Sequence, residues 1–330
     1  MAPTDVQRPG SPDGRSSEAI GRDARVRRAF VFGNAAIDEV FQVRTLPAPG
    51  ESVLGRARHL GLGGKGANQA VALARTGVPT SLVAAVGRDW HGDAIRKALS
   101  EEPLEQRLVE RADLPSDRSI IFAQEDGDNV IVTTNECAKS LTMAEARAVL
   151  AQARPGDAVL LQGNLEYDVT AALARECRGH GACLVLNPSP FDPALFDLLP
   201  LTDALFVNET EARGLTGLSR QDAVAALRRS GVRQVVLTLG AEGSLLGSGE
   251  TVAHIPACPT DVVDVTGAGD CFEGVAVGSA LLRGTELDEM ALSHASRAAA
   301  CTIGGLGAAQ AFPTPRQISA MSTDTRSRGR

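Results

Sequence analysis

Two periodicities alternate along most of this chain. Short runs of Val, Leu, Ile, Phe and Ala fall at residues 29–32, 81–86, 158–161, 183–186, 204–207 and 235–239, each the length of a strand. Between and after them lie Ala-rich amphipathic stretches at 66–75, 91–100, 143–153, 169–178, 221–230, 271–282 and 290–303, each the length of a helix. Gly77 and Pro79 close the first of these helices. Strands alternating with helices of this length describe βαβ units, so the pattern predicts an α/β fold: a doubly wound, mainly parallel sheet with helices on both faces. No repeat period appears.

Two places break the alternation. Residues 40–59 and 119–134 are strand-like with no helix between their halves. The second, SIIFAQEDGDNVIVTT, holds two β-rich runs around Asp126-Gly127-Asp128-Asn129, a hairpin turn signal. Such segments are expected to stay out of a parallel sheet and to pack together as a small β lid, about 40–60 and 118–135, beside a main domain spanning 29–318. Residues 1–28, rich in Pro, Gly, Ser, Arg and Asp without an apolar stretch, are expected to form a disordered extension rather than a secretory signal. Residues 319–330 are expected to be a second disordered tail.

Composition narrows the function classes. A net charge of -7 and a pI near 5.4 argue against nucleic acid or an anionic membrane as the main partner. Aromatics at 3% leave little for stacking bases. The six cysteines form no C-x-x-C pair and have no His at metal spacing, which fits reduced thiols in a cytoplasmic protein and excludes zinc as an expectation.

Two Gly-rich stretches carry the candidate chemistry. In VVDVTGAGDCFEGVAVGSALL, a strand-like 262–265 runs into Gly267-Ala268-Gly269 and then an apolar helix. Backbone N–H groups at such a helix start, with the positive end of the helix dipole, make an anion site. Asp270 stands at its mouth. It is either a base that takes a hydroxyl proton while the anion hole holds a phosphoryl group, or simply a favoured residue at a helix N-terminus. The other stretch, GLGGKGANQA from Gly61 to Ala70, half-matches three templates. A P-loop needs Ser or Thr after its Lys, and Gly66 stands there. A dinucleotide fingerprint needs a leading strand and an acid about twenty residues on; 54–60 is Arg-rich, and Asp89 lies beyond a whole helix and strand. What remains is a helix start with closely approaching glycines and Asn68, suited to the hydroxyls of an uncharged polar ligand.

GGKGANQA and DVTGAGD together resemble the paired signatures of the ribokinase/PfkB carbohydrate kinase family, and the likeness covers nearly all of 29–318. Further landmarks agree in order: Gly33 to Asp38, Pro49-Gly50-Glu51, Asn187-Pro188-Ser189-Pro190, Asn208-Glu209-Thr210-Glu211, and Thr238-Leu239-Gly240 followed by Gly243. The resemblance implies an ATP-dependent sugar kinase with Asp270 as base and Gly267, Ala268 and Gly269 as its anion hole. It implies a sugar site of Asp38, Gly64, Lys65, Asn68 and Asn164. It implies an ATP site of Asn187, Asn208, Thr238, Gly240, Gly243 and Gly269, with Mg²⁺ organised by Asn208 and Glu211 through water. A monovalent cation, K⁺, would sit near Asp264 and Thr266, and Gly304-Gly305-Leu306-Gly307 would lie beside adenine. Lid strands that pair between subunits imply a homodimer. Taken singly, Lys65 reads equally as an exposed loop lysine, Asn208 as a helix cap and Glu211 as a surface carboxylate.

The chain departs from the family at two sugar positions. Ala36 stands where the ribose-phosphorylating members carry Asn, and Leu161-Gln162-Gly163-Asn164 offers a neutral Asn164 in place of a sugar-contacting Glu. Ribose is therefore the leading candidate substrate, with another pentose, a ketohexose or a nucleoside as alternatives. A sugar-binding protein without catalysis would be expected to lose the base or the anion-hole glycines, and both are present. His91, His254, His294, Trp90 and Tyr167 gain no role.

Overall fold

A computed structural model describes residues 25–124 and 129–323. The chain starts with β1 (Ala29–Phe32), β2 (Ala36–Val43) and β3 (Gly55–Gly63). There follow α1 (Lys65–Arg75), β4 (Thr80–Gly87), α2 (Trp90–Ser100) and β5 (Glu105–Arg111). After these come β6 (Asp117–Ala123), β7 (Asn129–Thr133), α3 (Glu136–Lys139), α4 (Met143–Leu150), β8 (Ala158–Gln162) and α5 (Tyr167–Gly179). Next are β9 (Cys183–Asn187), β10 (Ala204–Asn208), α6 (Glu209–Thr216), α7 (Arg220–Arg229) and β11 (Gln234–Thr238). The chain ends in β12 (Ser244–Ser248), β13 (Thr251–Ile255), α8 (Ala268–Arg283), α9 (Glu289–Ile303) and α10 (Pro315–Thr323).

Nine strands form the main sheet in the order β13-β12-β11-β10-β9-β8-β1-β4-β5, parallel except for the β11-β12-β13 end. Alternate residues of each strand feed two separate cores. Val31, Leu82, Leu160, Val185 and Phe206 pack under α1, α8 and α9. Phe30, Phe32, Val159, Leu184 and Leu205 pack under α4, α5 and α7. That split is why the strands are apolar at every position: both faces are covered. Strand order reverses between β8 and β1, and the crevice at the carboxyl ends of strands beside such a reversal is where open α/β sheets bind ligands.

The second sheet runs β3-β2-β6-β7 and covers that end of the domain as a lid. β6 and β7 form the expected hairpin, pairing Ala123 with Asn129; Asp126-Gly127-Asp128 of its turn lies outside the described residues. One expectation changes here. The segments, expected to keep out of parallel pairing, include one parallel pair: β2 and β6 run parallel, Ala36 beside Asp117 through Gln42 beside Ala123, so the lid is a mixed sheet. The excursion from β3 through α1, β4, α2 and β5 is long enough to return β6 in the same direction.

Three other readings are corrected. Residues 262–265 are not a strand: the amides of Val263 and Asp264 donate to the Ile303 carbonyl at the end of α9, and the valines are exposed. The described structure reaches into both stretches expected to be tails. Arg25–Arg28 is tied down, with Arg25 Nη2 and the Arg28 amide both donating to Asp157 Oδ1 at 2.6 and 2.8 Å, and 319–323 belongs to α10. Residues 1–24 and 324–330 lie outside the described residues. Sequence reading also passed over β5 and α6, because charged residues fill both: EQRLVER on a sheet edge and ETEARGLT on an outer helix.

Candidate active site

Two glycines bring the site together. Gly267 caps α8 with φ 75, a left-handed conformation natural to glycine, and a Cβ there would stand 2.8 Å from that of Ala308. Further along α8, a Cβ on Gly274 would come within 2.7 Å of Ala72 Cβ and 2.8 Å of the Gln69 carbonyl. The missing side chain lets α1 and α8 approach closely, so polar side chains from the two helices meet.

They meet at Asp270, which is 6% exposed. Asn68 Nδ2 donates to its Oδ2 at 3.1 Å, Gln69 Nε2 to its Oδ1 at 3.2 Å, and Lys65 Nζ lies 3.6 Å from Oδ1. The carboxyl is held by three groups of α1 rather than by its own helix's amides, which is not what a simple helix cap would do. The amides of Gly267, Ala268 and Gly269 at the start of α8 sit beside it, where a helix leaves N–H groups without intrahelical partners; that of Ala268 donates to the Val265 carbonyl at 3.3 Å. Beside Gly269 a Cβ would meet nothing within 4 Å, so this end of the helix faces open space.

A second carboxyl pair surrounds Asp270. Asp38 of β2 is buried, and burial pushes its carboxyl up to about 6; a hydrogen bond from Ser119 works against this, and the charge of Asp270 adds to it. Glu273 of α8 is fully buried, and burial pushes it up to about 8. Its Oε2 accepts from Asn187 Nδ2 at 2.8 Å and from Gln69 Nε2 at 3.2 Å, while Gln162 Nε2 donates to Gln69 Oε1 at 2.7 Å. The chain from Gln162 at the end of β8 through Gln69 to Asp270 and Glu273 lies at the reversal of strand order. Burial works against the Lys65 charge, but Asp270, Glu211 and Glu273 outweigh it and raise its pKa.

Lys65, Asn187, Asn208, Glu211, Thr238 and Gly269 share one small cavity of about 70 Å³ with Glu273. Lys65, expected among the sugar ligands, therefore faces the groups expected around phosphate. Asn208 and Glu211 are also a capping box for α6: Asn208 Oδ1 accepts from the Glu211 amide at 2.8 Å, and Glu211 Oε2 from the Asn208 amide at 2.9 Å. The cap and the cavity wall are the same two residues. Gly240 and Gly243 shape the tight turn after β11, with φ 58 and 98. Asp264 Oδ1 accepts from the Thr266 amide and hydroxyl at 3.0 and 2.7 Å, and Oδ2 accepts from Gly307 at 3.0 Å. Burial raises its pKa, but these hydrogen bonds prevail and hold it below the usual value. Asn164 is 3% exposed, with no partner for its Oδ1 among the described residues. Glu273 and Gln69 escaped sequence reading; a Glu one helical turn after Asp270, on an otherwise apolar helix, was the available signal.

A larger cavity of about 260 Å³ lies at the opposite end of the sheet, among Ala158, Val185, Ala204 and Leu281. It brings together no such cluster of buried polar groups.

Residues 26–315 match the model of the pfkB family carbohydrate kinases. The chain belongs to that family. Among pfkB-family relatives, it is 32% identical to the ribokinase of Bacillus subtilis over 294 residues, 89% of this chain and 98% of that protein. It is 29% identical over 305 residues to the bifunctional ribokinase/ribose-5-phosphate isomerase A of Fructilactobacillus sanfranciscensis, of which it spans 56%. The structure of Arabidopsis thaliana ribokinase complexed with ribose and ATP superposes with a TM-score of 0.80 at 28% identity, covering 90% of this chain and 99% of that one. The pfkB-family chain is thus a carbohydrate kinase with the ribokinase-like fold. No helix among its described residues is long and apolar enough to cross a membrane.

Proposed function

We propose that this chain transfers the γ-phosphoryl group of ATP to the 5-hydroxyl of D-ribose, giving ADP and D-ribose 5-phosphate. The observation that carries the reading is Asp270: a buried carboxyl held by Asn68, Gln69 and Lys65 beside the open N-terminus of α8. Asp270 would take the hydroxyl proton as that oxygen bonds to the γ-phosphorus and the bond to the β-phosphate oxygen breaks. Amides of Gly267, Ala268 and Gly269 would face the phosphoryl oxygens as charge moves onto the leaving ADP. Asp38, on the lid strand, would accept hydroxyls from the sugar, and Gly64, Asn68 and Asn164 would complete its site. Lys65 would neutralise phosphate. Thr238, Gly240 and Gly243 would border the nucleotide.

A divalent cation fits the donor set. Asn208, Glu211 and Asn187 line one cavity; Asn208 Oδ1 and Glu211 Oε2 also serve the α6 cap, and Asn187 Oδ1 is buried with no partner among the described residues. When bound there, Mg²⁺ would neutralise the phosphate charge. Asp264, with both oxygens engaged, would serve a K⁺ site by holding its two loops together rather than as a vacant ligand.

Purified protein is assayed for ADP release with MgATP, with and without KCl, against ribose, 2-deoxyribose, fructose, other pentoses, adenosine, inosine and no sugar. Ribose alone should give strong turnover. Asp270→Asn should lose about 10²- to 10⁴-fold in turnover while still binding ribose. Normal turnover by that variant would end the assignment of the base. Turnover with a different sugar would keep the kinase and point to the neutral Asn164 and the buried Ala36 as the cause.

A further inference from the structure

Glu273 is the most deeply buried carboxyl in the site, at 0% exposure, and the proton transfer proposed above does not use it. A carboxyl buried in a protein interior is costly unless both oxygens are satisfied. Glu273 Oε2 is well provided for, accepting from Asn187 at 2.8 Å and Gln69 at 3.2 Å. Glu273 Oε1 has no donor among the described residues, and neither does Oδ1 of Asn187, itself 8% exposed. Both residues line the same small cavity, together with Glu211 and Asn208.

The only cationic side chain on that cavity among the described residues is Lys65, which lies 3.6 Å from Asp270. The volume of about 70 Å³ has room for an ion with a few waters. Two acceptors without donors, next to a third in Glu211, ask for positive charge and hard-oxygen chemistry. We propose that Glu273 is a second carboxylate for the divalent cation, lining the same cavity as Glu211 and acting together with the Asn187 carbonyl oxygen. This rests on the kinase reading above and adds an acidic residue to it. The bland alternative is a neutral acid, buried and protonated, that only braces Asn187 and Gln69; the upward push from burial suits that state in the absence of a cation. The two differ in what happens when the charge is removed but the shape is kept.

The test uses the full chain with Mn²⁺ as the ion, its binding followed by electron paramagnetic resonance at saturating ADP. ADP affinity is measured separately in EDTA. Glu273→Gln keeps an acceptor for Asn187 and Gln69, and should weaken Mn²⁺ about tenfold or more, with metal-free ADP affinity unchanged or tighter. If the Gln variant does not fold, Glu273→Asn, which also keeps an uncharged amide oxygen, is read for the same loss. Mn²⁺ affinity within about twofold of the parent in a folded variant overturns the proposal. Failure of the parent itself to bind ADP and to release it with any sugar would instead overturn the kinase reading.

Discussion

Asp38, Asp117 and Glu273 share a property with a consequence for stability. Burial is the first cause in each case, and it pushes their carboxyls up to about 6, about 6 and about 8. Each binds its proton more tightly in the folded than in the unfolded chain, so the folded state holds extra protons and stability falls as pH rises. For Asp38 and Asp117 the loss runs from the ordinary carboxylate range to about 6, and for Glu273 it continues to about 8. In EDTA, the urea midpoint of the protein should therefore be lower at about pH 8.5 than at about pH 5.5. Glu273→Gln should make the curve shallower above about pH 6.5, where Glu273 alone of these three carboxyls still titrates. A parent curve rising over this interval would mean the carboxyls are better solvated than their burial indicates. At this scale the sequence was a partial guide. Asp270 could be singled out because it follows a glycine run at a helix start, but that α1 side chains hold its carboxyl depended on partners some two hundred positions away. Glu273 had no local signal beyond its own charge.

Elements that bury both faces were easy to read, and those that bury one face or none were not. β4 and β8, apolar at almost every position, are where the pattern puts them. β3 and β5 are edge strands with charged faces, and their hydrogen-bonding partners, not their composition, make them strands. β7 is the contrary case, an edge strand that is apolar and still uncovered. Val130, Ile131 and Val132 are 45%, 51% and 59% exposed, so both faces of the strand are open. An exposed apolar edge invites pairing with another chain. We infer that β7 carries the homodimer contact expected of the lid. Ile131→Lys should convert a sedimenting dimer to a monomer, with the melting temperature of the main domain little changed. A parent that sediments as a monomer at micromolar concentration would remove the dimer altogether.

Across the whole molecule, the main sheet divides the work between its two ends. The carboxyl ends of β1 and β8 carry the polar cluster, and the amino ends carry an anchor that sequence reading assigned to a loose extension. Asp157, 0% exposed, accepts from Arg25 and from the Arg28 amide through Oδ1, and from the Arg154 amide at 3.0 Å through Oδ2. The Arg28 carbonyl accepts from Ala158, and the Arg28 guanidinium reaches Ser81 and Glu105, so Arg25 and Arg28 bind the start of β1 to the starts of β8, β4 and β5. Composition could not show this, because Arg25–Arg28 reads like the polar stretch before it; only the buried acceptor across the sheet distinguishes them. Two truncations separate the regions. Removal of residues 1–24 should leave the melting temperature unchanged. Removal of 1–28 strips a buried carboxylate of two of its donors and should cost about 1–3 kcal/mol or more. Turnover per folded molecule should be equal in both, since the anchor lies at the far end of the strands from Asp270. If the longer truncation melts with the parent, Asp157 is satisfied by water and the domain begins at β1. If it melts early and also loses turnover at temperatures where it is folded, the two ends of the sheet are coupled through β1 and β8, and the division of work drawn here is wrong.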